Sequence, residues 1–190
     1  MNYLSVGGSS VKFYKYKNQL LIFYLAVGFF AGILYENMIS KSQGMSLAIF
    51  QTYFLKQYIQ TEIIVEEYLG YVLRARVFPF VWLCILACLR WKKMLVGACL
   101  IWTGFLAGVI TVSAVLQHQI KGILLCLSGM FPHMICYSLA YGVFLAYLYQ
   151  YPKRQWNGAK TVFVVITMLV GILLETYINP LLMKFVIRII

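Results

Sequence analysis

A chain of 190 residues with 63% hydrophobic side chains, 11% charged side chains and a mean hydropathy of +0.83 departs far from a soluble globular domain, which is about 25% charged. The composition excludes an ordinary water-soluble enzyme and predicts an integral membrane protein, a single membrane domain over residues 1–190. The net charge of +11 would suggest nucleic acid on a soluble chain. Here the basic residues flank apolar runs, a pattern of membrane topology, so membrane lipids are the expected partner and nucleic acid is not.

The predicted fold class is all-α: a polytopic bundle of about five transmembrane helices, the fourth broken or kinked at Pro132. Residues 1–18 carry Lys12, Lys15 and Lys17 and lead into the first span, residues 19–35. A signal peptide shares this pattern, but no small-x-small cleavage site precedes Glu36, so the run is read as an uncleaved helix. It contains Gly28-x-x-x-Gly32, a groove for close helix packing.

A long connection follows at residues 36–70. Leu47, Phe50, Phe54 and Tyr58 recur at helical spacing beside Gln51, Lys56 and Gln57, which reads as an amphipathic helix on the membrane surface or against the bundle. Glu62, Glu66 and Glu67 come next. The segment is either a solvated helix face or a docking surface for an extracytoplasmic partner, with Phe50, Phe54, Glu62, Glu66 and Glu67 as the docking residues.

The second span, residues 71–89, is the weakest: Arg74 and Arg76 leave 13 uncharged residues before Arg90. Both arginines are expected to snorkel to the head groups. The third span, residues 94–116, holds Gly104-x-x-x-Gly108. The glycine motifs serve packing within one chain or between copies, so a homo-oligomer is an alternative. Cys84, Cys88, Cys99, Cys126 and Cys136 all lie in apolar stretches and are read as packing residues.

The fourth span, residues 122–149, contains Phe131-Pro132-His133, where proline removes a backbone donor. The fifth, residues 161–178, contains Glu175, the only charge between Thr161 and Met183. A carboxylate in hydrocarbon costs about 2.5–3.5 kcal/mol on insertion scales, so it is expected to pair, take up a proton or face a polar interior. Pro180 is expected to stop the helix. His133, Glu175, Tyr177 and Asn179 form a predicted polar clasp between the last two spans. Tyr137, Asn179 and water compete with His133 for the Glu175 carboxylate. The rival reading is a proton or ion path.

Nine basic residues and no acids fall on the side of the amino terminus, against seven basic residues and four of the five glutamates on the other. That bias orients the amino terminus to the cytoplasm and the carboxyl terminus outside. The chain has no aspartate and no recognisable nucleophile elbow, Walker loop, dinucleotide fingerprint or zinc motif. No enzyme activity, metal or cofactor is therefore expected.

Four segments together resemble the stage II sporulation protein M family. VGFFAGILYENMISKSQ resembles its glycine-bearing first helix, KKMLVGACLIWTGFLAGVI its Gly-rich third helix, and FPHMICYSLAYG its central Pro-His segment. ETYINPLLMK, with Glu175, Tyr177 and Pro180, resembles its carboxyl-terminal signature. Met134 and Tyr137 stand where many members carry Gly and Glu. The resemblance implies a five-span protein of the cytoplasmic membrane of an endospore former. It would be a non-enzymatic scaffold that anchors two peptidoglycan-degrading partners, stage II sporulation proteins D and P, at the septum during engulfment. The alternative is a transporter or permease subunit with a path lined by His133 and Glu175.

Overall fold

The computed structural model describes residues 6–43, 50–152 and 155–189, with side chains in the first helix from 19 to 39. Leu47, Lys153 and Arg154 lie outside the described residues, as do the side chains of Lys12, Lys15, Lys17 and Lys41. The described residues are all-helical, with no strand. In chain order the helices are α1 (Val6–Gln43), α2 (Thr52–Gln60), α3 (Val65–Leu86), α4 (Lys92–His118), α5 (Ile120–Met130), α6 (His133–Gln150), α7 (Gly158–Leu173) and α8 (Asn179–Ile189). A π-helical turn, Leu174–Ile178, joins α7 to α8.

Four stretches are long and apolar enough to cross a membrane: Gln19–Ile39, Val65–Leu86, Lys92–His118 and Gly158–Ile189. The α5–α6 pair, bent by 62° across Phe131 and Pro132, makes a fifth if it counts as one span. Ile22, Phe23, Phe30, Trp102, Ile166 and Leu173 are all exposed on these stretches. Such broad apolar exposure suits a lipid surround and would be a liability in water.

The tightest seam lies between α1 and α4, which run parallel. A Cβ at Gly28 would collide with the carbonyl oxygen of Ile101, and one at Gly32 with that of Phe105. From the other side, a Cβ at Gly104 or Gly108 would strike the carbonyls of Leu25 and Phe29. The two glycine motifs therefore face each other within one chain, letting the backbones touch. α5 turns back along α4, where Gly122 packs on the backbone of Ala114. α6 and α7 pack along their length.

Three apolar clusters fill the bundle. One end holds Leu83, Val96, Phe144, Leu145 and Leu148, with Leu21 and Trp156 against them. The α6–α7 seam holds Tyr137, Ala140, Val164, Met168 and Ile172, together with Val72 of α3. The opposite end holds Phe50, Leu55, Ala114, Leu125, Cys126 and Val186.

Two expectations are corrected here. Phe50, assigned to docking, is only 7% exposed; it fills the gap between Ala114, Leu125 and Val186, so burial of its ring outweighs display. Leu55, not Phe54, is the inward residue of α2. The segment is held down by His118, whose Nε2 lies 2.6 Å from the Phe50 carbonyl. Lys184 secures it further, donating to the Thr61 carbonyl at 2.7 Å. Burial pushes the Tyr58 phenol up to about 12.

The second correction concerns Pro180. It does not stop the helix: the apolar stretch continues to Ile189. The missing N–H of proline removes one backbone bond, and the wider π-helical turn immediately before it absorbs the mismatch. There the Asn179 N–H donates to the Leu174 carbonyl, five residues back.

Candidate functional site

The polar centre of the bundle is built around that turn. A π-helical turn inserts one extra residue into a helix and re-aims the side chains it carries, which is why such turns concentrate at functional sites. Here it points Glu175 inward, leaving it 8% exposed. Thr176 beside it is buried and satisfies itself, its hydroxyl donating to the Ile172 carbonyl at 2.8 Å.

The Glu175 carboxylate accepts from two residues on two other helices. Arg76 of α3 donates from Nε to Oε2 at 2.8 Å and from Nη2 to Oε1, a two-armed fork. Tyr137 of α6 donates its phenol to Oε2 at 2.7 Å. The Arg76 guanidinium also lies 5.0 Å from the centre of the Tyr137 ring, a cation–π contact. Gly171 gives that ring its place, because a Cβ there would crowd the ring edge. The forked geometry matches a planar guanidinium to a carboxylate and is stronger than a neutral hydrogen bond. Three elements distant in sequence are thereby tied through one side chain.

The predicted clasp is therefore corrected in its membership. His133 does not bond Glu175: Arg76 and Tyr137 occupy the carboxylate. His133 is 3% exposed and sits edge-on to the Tyr137 ring, centroids 5.8 Å apart. Its Nδ1 is buried without a partner, as is Oδ1 of Asn179. Tyr177 is exposed. The expectation that Arg76 snorkels to the head groups is overturned by the same fork. The signal available in sequence was charge balance: with sixteen cations and five acids, Arg74 and Arg76 inside the second span were candidates for the one carboxylate in the fifth.

A second polar contact went unread in the sequence. Glu36 of α1 is 4% exposed and accepts a hydrogen bond from the Ser113 hydroxyl of α4, itself fully buried. The cue was spacing: Glu36 continues the Gly28, Gly32 series by one more turn, and so shares their face.

Two surface hollows, of about 350 and 260 Å³, lie elsewhere, and neither is lined by Glu175, Arg76 or His133. Among the described residues no group of three His, Cys, Asp or Glu side chains is placed to hold a metal. Of the docking candidates, Phe54, Glu62, Glu66 and Glu67 are exposed around the α2–α3 junction. Comparison with family models, curated proteins and solved structures gives no match.

Proposed function

We propose that the chain is a multi-pass membrane scaffold with no chemistry of its own. In this reading it belongs with the stage II sporulation protein M family and holds peptidoglycan-degrading partners, stage II sporulation proteins D and P, at the septum during engulfment. The observation that carries the scaffold reading is the Arg76–Glu175–Tyr137 clasp. The intramembrane carboxylate spends its lone pairs on two neighbouring helices. A group used this way fixes helices rather than passing ions.

Five spans suit the same reading. α5 begins beside Ala114 at one end of the bundle, and α6 ends beside Val96 at the other. That placement supports reading the pair as one span broken at Pro132. Charge bias then sets the amino terminus in the cytoplasm and the α2–α3 junction outside. There Glu62, Glu66 and Glu67, with Phe54, are offered to the hydrolases. Co-purification from sporulating cells tests the docking surface. E62Q/E66Q/E67Q should lose the hydrolases while inserting normally, and unchanged recovery removes this surface from the account.

The transporter reading draws on one observation, the unpartnered Nδ1 of His133 and Oδ1 of Asn179 near the ion pair. Reconstituted vesicles distinguish it: a proton or ion flux sensitive to H133A would favour a path over a scaffold.

A further inference from the structure

The end of the bundle opposite α2 carries cations that no carboxylate balances among the described residues. Arg90, Trp91, Lys92, Lys93, Met94, Leu148 and Tyr151 line a hollow of about 350 Å³. Three of these residues, Arg90, Lys92 and Lys93, are cations within four positions of sequence. The acids are all elsewhere: Glu36 on Ser113, Glu175 on Arg76, and Glu62, Glu66 and Glu67 at the α2–α3 junction. No ion pair between these cations and a carboxylate is found among the described residues.

The surroundings set the depth of the hollow. Tyr147 packs against Trp156 and Tyr151, with ring centroids 5.0 and 6.2 Å apart, and Trp91 is exposed beside them. Tyr and Trp gather at the level of lipid head groups. The Lys92 ammonium rests 3.3 Å from the Tyr151 ring centre, which fixes its direction while leaving donors free. The first turn of α4 lies in the same wall with no side-chain cap. Met94 and Leu148 supply an apolar floor.

We propose that this hollow binds the phosphate head group of an anionic phospholipid. Arg90, Lys92 and Lys93 pair with the phosphate, Tyr151 holds Lys92 in place, and Met94 with Leu148 meets the first part of an acyl chain. Free phosphate offers the same anion but no chain for the apolar floor, which is why the lipid is the expected source.

Native mass spectrometry of the full chain in neutral detergent tests the site, with phosphatidylglycerol, phosphatidylcholine and inorganic phosphate as separate additions. The wild type should retain phosphatidylglycerol over phosphatidylcholine. R90Q/K93Q should bind phosphatidylglycerol about 30-fold more weakly, the effect of removing two surface cations. K56Q/R188Q removes as much charge at the other end and should bind as the wild type does. Thermal unfolding without lipid should be alike for all three proteins, separating lost binding from lost fold. Equal weakening in both variants, or displacement of the lipid by millimolar inorganic phosphate, would overturn the site.

Discussion

Arg76 and Glu175, 99 residues apart in sequence, meet inside the bundle in a forked ion pair. Neither residue is comfortable in lipid alone, and each supplies what the other lacks. Replacing a buried pair by apolar residues is often neutral, whereas removing one partner strands the other. The pair is thus weak evidence for extra stability and strong evidence for a fixed arrangement of α3, α6 and the π-helical turn.

E175Q should destabilise the bundle by about 2–4 kcal/mol, toward the lower part of the range for pairs broken on one side, because the Arg76 side chain is 37% exposed. R76M/E175M should recover most of that loss. A double-mutant cycle on unfolding in mixed micelles measures the coupling, and simple additivity would deny that the two residues act together.

The glycine seam makes a sharper contrast. G28A and G104A should each cost about 1–3 kcal/mol, since the added methyl meets backbone that cannot rotate aside. G142A is the control: nothing lies within 4 Å of a Cβ there, so stability should hold or rise by about 0.5–1 kcal/mol. Size-exclusion profiles should not change with any of them, because both motifs are used within one chain.

Ser113 and Glu36 respond unequally. S113A removes the donor to a buried carboxyl group and should cost about 1–3 kcal/mol. E36Q keeps an acceptor oxygen for the same hydroxyl and should cost less than about 1 kcal/mol. Chemical denaturation of the two variants compares them, and a larger loss for E36Q would mean that the charge itself is required.

Phe50 and Phe54 separate core from surface on one short segment. F50A should cost about 3–5 kcal/mol by emptying a core position. F54A should stay within about 0.5 kcal/mol, as surface changes do. Limited proteolysis of residues 50–64 reads the difference, with F50A cut faster and F54A unchanged.

The helices and their faces were largely legible in the sequence, because apolar length and small-residue spacing are local properties. Gly28, Gly32, Gly104 and Gly108 announced a close seam, although not which helices would share it. The need of Glu175 for a polar partner was also legible, with Tyr137 among the candidates; Arg76 was not among them. Arg76 lies too far along the chain for any spacing rule, and its position near the start of a span made a head-group role plausible. Pro180 misled for a different reason. Proline forbids one hydrogen bond, not a helix, and a π-helical turn supplied a way through that propensity alone does not reveal. Phe50 shows the limit of periodicity: it marks an amphipathic segment without saying which of two phenylalanines faces inward.

The central claim is that Glu175 fixes the scaffold and does not line a path. The most direct test is recovery of the proposed peptidoglycan-degrading partners from sporulating cells carrying wild type, E175Q or R76M/E175M. The account predicts poor recovery with E175Q and near wild-type recovery with R76M/E175M, because the apolar pair restores the arrangement without the charges. Failure of R76M/E175M to recover the partners, in a protein that inserts and unfolds like the wild type, would contradict it.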